Sequence, residues 1–286
     1  MHDTVTVVPV LSAHDGTKLA YHVSGKGTSV VCLPGGPMQD SAYLGGLGGL
    51  SRRLRLILLD HRGTGQSQTP TDTASYRCDY LVDDVEALRE HLGLDRMTLL
   101  GHSAGANLAV LYAARHPERI GKLVLIAPST LAVGITATSD VRREVVRLRE
   151  GEPWFGPAST AFEAIQAGQA TDGDWAAIAP LTYGRWDAAA RAHHASGNKQ
   201  RSAKAAAVFG ARGAFDPPTT RAALAAFHAP VFLLAGQFDV AAPPRAVAEL
   251  AGLFPNATLV TQPRAGHYPW LDDPTWFTTT TAAFLT

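Results

Sequence analysis

With 286 residues, 46% of them hydrophobic and 17% charged, the chain has enough apolar material for a large buried core. Lys plus Arg and Asp plus Glu both total 25, so no basic excess holds a phosphate backbone, there is no acidic tail, and nucleic acid is excluded as an expected partner. The N-terminal stretch Met1-His-Asp-Thr-Val-Thr-Val-Val8 has no charged leader, and no run reaches the roughly 18 apolar residues that span a bilayer, so a soluble, cytoplasmic protein with no membrane partner is expected.

In chain order, Val5 to Pro9 and Lys18 to Val23 read as two strands of an antiparallel edge, joined by His14-Asp-Gly-Thr17 with its Asp-Gly hairpin signal. Ser29 to Leu33 is a continuous apolar run, as a strand covered on both faces would be, and it stops at Pro34-Gly-Gly-Pro37. Leu54 to Leu59 is a second such run, ending at Asp60-His-Arg-Gly-Thr-Gly-Gln-Ser67. Tyr80 to Leu92 reads as an amphipathic helix with Leu81, Val85, Leu88 and Leu92 on one face. Then comes the central stretch: an apolar strand from Met97, a Gly101-His-Ser-Ala-Gly105 turn, and a helix from Ala104 to His116. Lys122 to Ile126 follows as the next strand. Alternating apolar strands and helices indicate an α/β fold with a mostly parallel sheet flanked by helices, and all parallel strands then end on one rim.

From Leu131 to His228 the strand-like runs vanish, and Pro153, Pro157, Pro180, Pro217 and Pro218 break the chain into short helical pieces. The expected organisation is therefore a core of 1–130, an inserted helical cap of 131–228, and a returning core of 229–286. Trp154, Phe155, Trp175, Tyr183, Trp186, Phe209 and Phe215 would either line a substrate pocket or form the cap's own core. Trp154, Trp186 and, in the returning core, Trp270 are the candidate substrate-binding residues. The sheet resumes at Val231 to Ala235 and Ala257 to Val260, with helices from Pro244 to Leu253 and from Asp273-Pro274 to Phe284. Cys32 and Cys78 lack the pair spacing of metal sites, and in a reducing compartment they stay unpaired.

A serine hydroxyl is a weak nucleophile unless a base lies within hydrogen-bond reach and a third group orients that base. Ser103 sits at a strand-to-helix turn where small residues relieve crowding. Asp239 follows one late strand and His267, in Ala265-Gly-His-Tyr-Pro-Trp270, follows the last, so all three emerge on the same rim. His91, His116, His193 and His194 lie in helical surroundings, and the turn points His102 elsewhere. Asp60 is read as bracing the site through Arg62, and Asp216 as a helix cap. The backbone N–H groups of Gly36 and Ala104 are the candidate oxyanion donors. No metal site or dinucleotide loop is visible, so no cofactor is expected. The expected partner is a small-molecule or short-peptide substrate.

These motifs resemble the α/β-hydrolase superfamily and, within it, the branch around proline iminopeptidases. The resemblance rests on Pro34-Gly-Gly-Pro-Met38, Asp60 to Ser67, Gly101 to Gly105, Asp239 and His267, and it covers the core far better than the cap. The chain order Ser, Asp, His is also that of α/β-hydrolases. The resemblance implies a metal-free serine hydrolase acting through an acyl-serine on a small ester or amide. Two positions depart from the branch: Pro34 stands where it has His, and the serine turn reads Gly-His-Ser-Ala-Gly instead of Gly-Gly-Ser-Trp-Gly. That branch also holds a substrate amino terminus with cap glutamates, and none of Glu144, Glu150, Glu152 or Glu163 aligns with that task. An esterase, lactonase or thioesterase, and from another class a non-catalytic small-molecule receptor of the same fold, therefore remain alongside the aminopeptidase reading.

Overall fold

The computed structural model describes residues 8–286. Eight strands form one sheet: β1 (Val10–Ser12), β2 (Lys18–Ser24), β3 (Ser29–Leu33), β4 (Arg55–Leu59), β5 (Met97–His102), β6 (Ile120–Ile126), β7 (Val231–Gly236) and β8 (Ala257–Gln262). Their spatial order is β1-β2-β4-β3-β5-β6-β7-β8. The β1/β2 and β2/β4 pairs are antiparallel and the rest are parallel. The apolar runs of β3, β5, β6 and β7 are buried because helices cover both faces, whereas β8, at the edge, leaves Leu259 exposed.

The first strand differs from expectation. Residues 5–7 of the predicted strand Val5 to Pro9 lie outside the described residues, and β1 begins only at Val10. The Asp-Gly signal does mark the turn into β2: the Gly16 N–H donates to the Ala13 carbonyl, and Gly16 takes the positive φ of +85° that the turn requires.

Around the sheet run α1 (Cys78–His91), α2 (Ala104–Arg115), α3 (Ser139–Arg147), α4 (Phe155–Gln166), α5 (Asp172–Ala177), α6 (Ala188–Gln200), α7 (Ala203–Phe209), α8 (Pro217–Ala225), α9 (Pro244–Ala251), α10 (Pro269–Asp272) and α11 (Pro274–Leu285). Helix α1 starts two residues before its predicted start, so Cys78 is its first residue; both cysteines are buried and unpaired. Asp216 caps α8 by accepting the Thr219 N–H.

Between β6 and β7 no strand occurs among the described residues. This stretch packs in two ways. Helices α3 to α5 enclose a small cluster of Val146, Ala158, Phe162 and Leu181. Ala205 and Phe209 of α7, and Leu224 and Phe227 in and after α8, instead join the main core beneath α2. Phe209 and Phe215 pack against each other there, 6.3 Å between ring centroids, so they take the structural role left open for the cap aromatics.

The loop after β4 is fastened away from the rim. Arg62 donates to both carboxylate oxygens of Asp84 on α1 and to Asp15 in the β1–β2 turn, so it ties helix to hairpin and does not brace the serine as expected. Asp60 supplies the link toward the rim: its carboxylate accepts from the Ser41 N–H and hydroxyl, the Gln66 N–H and His22. Removing Asp84 would leave a guanidinium that is only 5% exposed without its bidentate partner. Asp84→Ala is expected to lower unfolding free energy by roughly 3 kcal/mol, read from urea denaturation.

Candidate active site

The turn between β5 and α2 crowds three main-chain segments together. Ser103 has φ 53° and ψ −122°, a conformation that side-chain-bearing residues rarely adopt. A Cβ on Gly101 would lie 2.7 Å from the Gly105 carbonyl oxygen, one on Gly105 would lie 2.4 Å from that of Leu33, and one on Gly35 would lie 2.7 Å from the Ser103 Cβ. The glycines let the loop after β3 and the start of α2 close on the serine, which stands above the end of β5.

Asp239 leaves β7 and His267 follows β8, and the structure brings both to Ser103. His267 Nε2 is 2.8 Å from Ser103 Oγ, and His267 Nδ1 is 2.8 Å from Asp239 Oδ2. The other carboxylate oxygen of Asp239 accepts the N–H groups of Ala241 and Ala242, both at 2.9 Å, so the fully buried anion is held without a cation against it. A carboxylate can only accept when ionised, so Nδ1 of a neutral His267 carries the proton and Nε2 is left to accept from the serine hydroxyl. The His267 N–H donates to the Thr182 carbonyl, which fixes the loop against the segment before α6.

Gly36 follows Gly35, whose added Cβ would meet the serine's own, and Ala104 follows the serine in the chain. Among the described residues neither backbone N–H donates to a protein acceptor, whereas that of Gly35 donates to the Tyr43 hydroxyl at 2.7 Å. Ala104 is the first residue of α2, where the helix dipole adds to the attraction for a negative oxygen.

The predicted tryptophans sit apart from this arrangement. Trp270 is 1% exposed and packs its indole between His102 and Phe277, with ring centroids at 4.8 and 6.0 Å, so its side chain belongs to the core. Pro269 opens α10 and turns the indole inward, while Tyr268 faces the histidine. Trp154 lies over Arg149, and Trp186 packs with Tyr183 and His194.

Sequence reasoning missed Tyr43, and it had His102 pointing away from the serine without giving the ring a role. His102 is buried, its Nε2 is 2.9 Å from the His267 carbonyl, and its Nδ1 is 2.7 Å from the Tyr43 hydroxyl. The carbonyl only accepts, so Nε2 carries the proton, Nδ1 accepts from Tyr43, and Tyr43 in turn accepts from Gly35. Every atom of this run is satisfied, and it joins the loops after β3, β5 and β8. His193 on α6 works the same way between the Tyr183 hydroxyl and the Tyr43 carbonyl, linking cap to core. The signal in the sequence was the position of His102 beside the serine; nothing local marked Tyr43.

A family model for the alpha/beta hydrolase fold matches residues 28–274. The chain belongs to the α/β-hydrolase family. As expected for such a hydrolase, the sheet is mostly parallel and flanked by helices. A proline iminopeptidase of Heyndrickxia coagulans is 36% identical over 105 residues, covering 37% of this chain and 36% of that one. A second, from Saccharolobus solfataricus, is 33% identical over 135 residues, covering 46% and 42%. This α/β hydrolase thus matches less than half the length of these curated relatives. Among solved structures, a thermophilic esterase from Thermogutta terrifontis is similar with a TM-score of 0.69 and 25% identity over 98% of each chain. Among the described residues no helix is long and apolar enough to cross a membrane, and no cluster of three or more His, Cys, Asp or Glu is placed to hold a metal ion.

Two outcomes follow from the buried polar groups, among them His61, whose Nε2 contacts the Pro34 carbonyl. Tyr43→Phe leaves the Gly35 N–H and His102 Nδ1 without partners, and is expected to lower unfolding free energy by about 2 kcal/mol in urea titrations. Burial lowers the pKa of His61 from 6.5 to about 4 and holds that of His102 well below 6.5. Both rings are neutral when folded but take up protons when unfolded, so their contribution to stability is present above pH 6.5 and is lost as pH falls toward 4. The unfolding free energy should fall between pH 7.5 and 5, with a slope of up to about 1.4 kcal/mol per pH unit for each ring, and the urea midpoint with it; an unchanged midpoint would contradict the burial argument.

Proposed function

We propose that this chain is a serine hydrolase that cleaves small carboxylic esters through an acyl-serine intermediate at Ser103. What carries this reading is the run of hydrogen bonds from Ser103 Oγ through His267 to Asp239, each 2.8 Å. In the acylation step Ser103 Oγ forms a bond to the substrate carbonyl carbon while His267 Nε2 takes the hydroxyl proton, and Asp239 steadies the resulting imidazolium. The carbonyl oxygen, now anionic, accepts from the N–H groups of Gly36 and Ala104, each donor being worth about 3 kcal/mol in such a site. When the carbon–oxygen ester bond breaks, His267 returns the proton to the departing alcohol. Water then attacks the acyl-serine with His267 again as base, releasing the acid and restoring the hydroxyl.

The aminopeptidase reading draws support from the names of the relatives, which match part of the chain. The cap's acids argue for the ester. Glu163 pairs with Arg143 at the surface, Glu152 faces Arg149, and Glu144 and Glu150 are exposed, so no free buried carboxylate from this set waits for a substrate ammonium.

Short-chain nitrophenyl esters assayed beside prolyl and alanyl naphthylamides separate the two readings, and the ester is expected to turn over faster by kcat/KM. Ser103→Ala should lower that turnover at least a thousandfold, on the order of the loss seen when a triad nucleophile is removed. A fluorophosphonate should add to Ser103 and be seen by peptide mass. Turnover that survives Ser103→Ala sinks the acyl-serine, and the absence of turnover on the whole panel with no phosphonate adduct favours the inert receptor.

A further inference from the structure

A cleft of about 310 Å3 lies between the cap helices and the loop after β7, and Ser103 is not among its lining residues. Its walls are apolar: Phe162 and Ile165 from α4, Trp175 from α5, Ile178 and Leu181 beyond it, and Val240 next to Asp239. Trp175 is 56% exposed, a large aromatic left at the surface beside an apolar hollow, which is a mark of a binding site.

One cation enters this hollow. Arg142 on α3 lines the cleft and is half-buried, and its Nη1 donates to the carbonyls of Val240 and Ala241. Among the described residues its Nε and Nη2 have no protein partner and no carboxylate lies within 4.0 Å of the guanidinium; Asp140 on α3 and Glu163 on α4 both pair with Arg143. The charge of Asp239 acts on Arg142, but its oxygens are already taken by His267, Ala241 and Ala242. Burial lowers the Arg142 pKa against the opposing attraction of Asp239, so the guanidinium is partly withdrawn from water.

A half-buried guanidinium with free N–H donors, surrounded by hydrocarbon, favours a ligand that brings one planar negative charge and an apolar tail. The low dielectric of the cleft strengthens that attraction, and the fork of donors matches a carboxylate. An alcohol supplies no charge, an amine is repelled, and a phosphate dianion brings more charge than one arginine offsets. We propose that this cleft binds a medium-chain monocarboxylate, with its head group on Arg142 and its chain along Phe162, Ile165 and Leu181. The site goes beyond the ester hydrolysis above and does not require Ser103 to be a nucleophile. It adjoins the catalytic residues all the same: its walls include Thr182, whose carbonyl accepts the His267 N–H, and Val240, the neighbour of Asp239.

The test is calorimetric titration of the full chain with octanoate, octanol and octylamine. Octanoate is expected to bind saturably, at least tenfold more tightly than octanol, with no measurable binding of octylamine. Arg142→Gln should weaken octanoate at least tenfold and Arg142→Lys should recover part of that loss. Since Arg142 also holds the loop after Asp239, Ile165→Trp, which fills the cleft and leaves the guanidinium in place, serves as the second variant and should abolish octanoate binding. Equal affinity for octanoate and octanol, octanoate binding unchanged in Arg142→Gln or in Ile165→Trp, or no binding of octanoate at all would each overturn the proposal. Because these are binding readouts, they stand whether or not the esters are hydrolysed.

Discussion

The close approach of main chain to main chain around Ser103 is the constraint from which the rest of the site follows. A residue at φ 53° and ψ −122° is held there only if its surroundings leave no alternative. Here the Leu33 and Pro34 carbonyls come within reach of Gly105, and Gly35 abuts the serine itself. The same crowding recurs on the far side of the rim, where a Cβ on Gly236 would lie 2.2 Å from the Gly266 carbonyl oxygen and one on Gly266 2.5 Å from that of Thr182. The loops that carry Asp239 and His267 therefore lie against each other as tightly as those that carry Gly36 and Ser103.

Beside His267 the contacts other than Asp239 are neutral. Apart from Asp239 the groups nearest the histidine are dipoles: the Thr182 carbonyl, the neutral ring of His102, and the Tyr43 hydroxyl behind it. A fully hydrogen-bonded neutral run fixes geometry without placing a second charge beside the imidazole, whose cation would otherwise be disfavoured. The ion pairs of Arg62 lie in the bridge between α1 and the β1–β2 turn.

The cap meets the core through another buried cation. Arg149, 2% exposed, lies between the rings of Trp154 and Phe238, 4.7 Å from each centroid, and donates to the Tyr183 and Gly184 carbonyls. Phe238 precedes Asp239, so the aromatic clamp fixes the cap against the segment that delivers the acid. Arg142 and Arg149, on one short stretch of the cap, thus do different work: one closes a packed joint, and the other lines an open cleft.

The sequence by itself determined the order of strands and helices in the core, the parallel sheet, and which strand end carries Ser103, Asp239 and His267. These are legible because they depend on local rules: continuous apolar runs, proline at helix starts, and small residues at a tight turn. Beyond Ser103, Asp239 and His267, only the tertiary structure decided which side chains meet across the rim. Tyr43 comes from a glycine-rich loop with no periodic pattern, and it reaches His102 only because β3 and β5 are neighbours in the sheet. Arg62 read as a brace for the serine and turned to Asp84, and the side chain of Trp270, read as a substrate contact, packs into the core, since nothing in a linear motif says which way a side chain faces once its loop is folded. The division of 131–228 between the main core and its own small cluster was equally hidden, because an alanine-rich amphipathic helix carries the same pattern whichever apolar surface it covers.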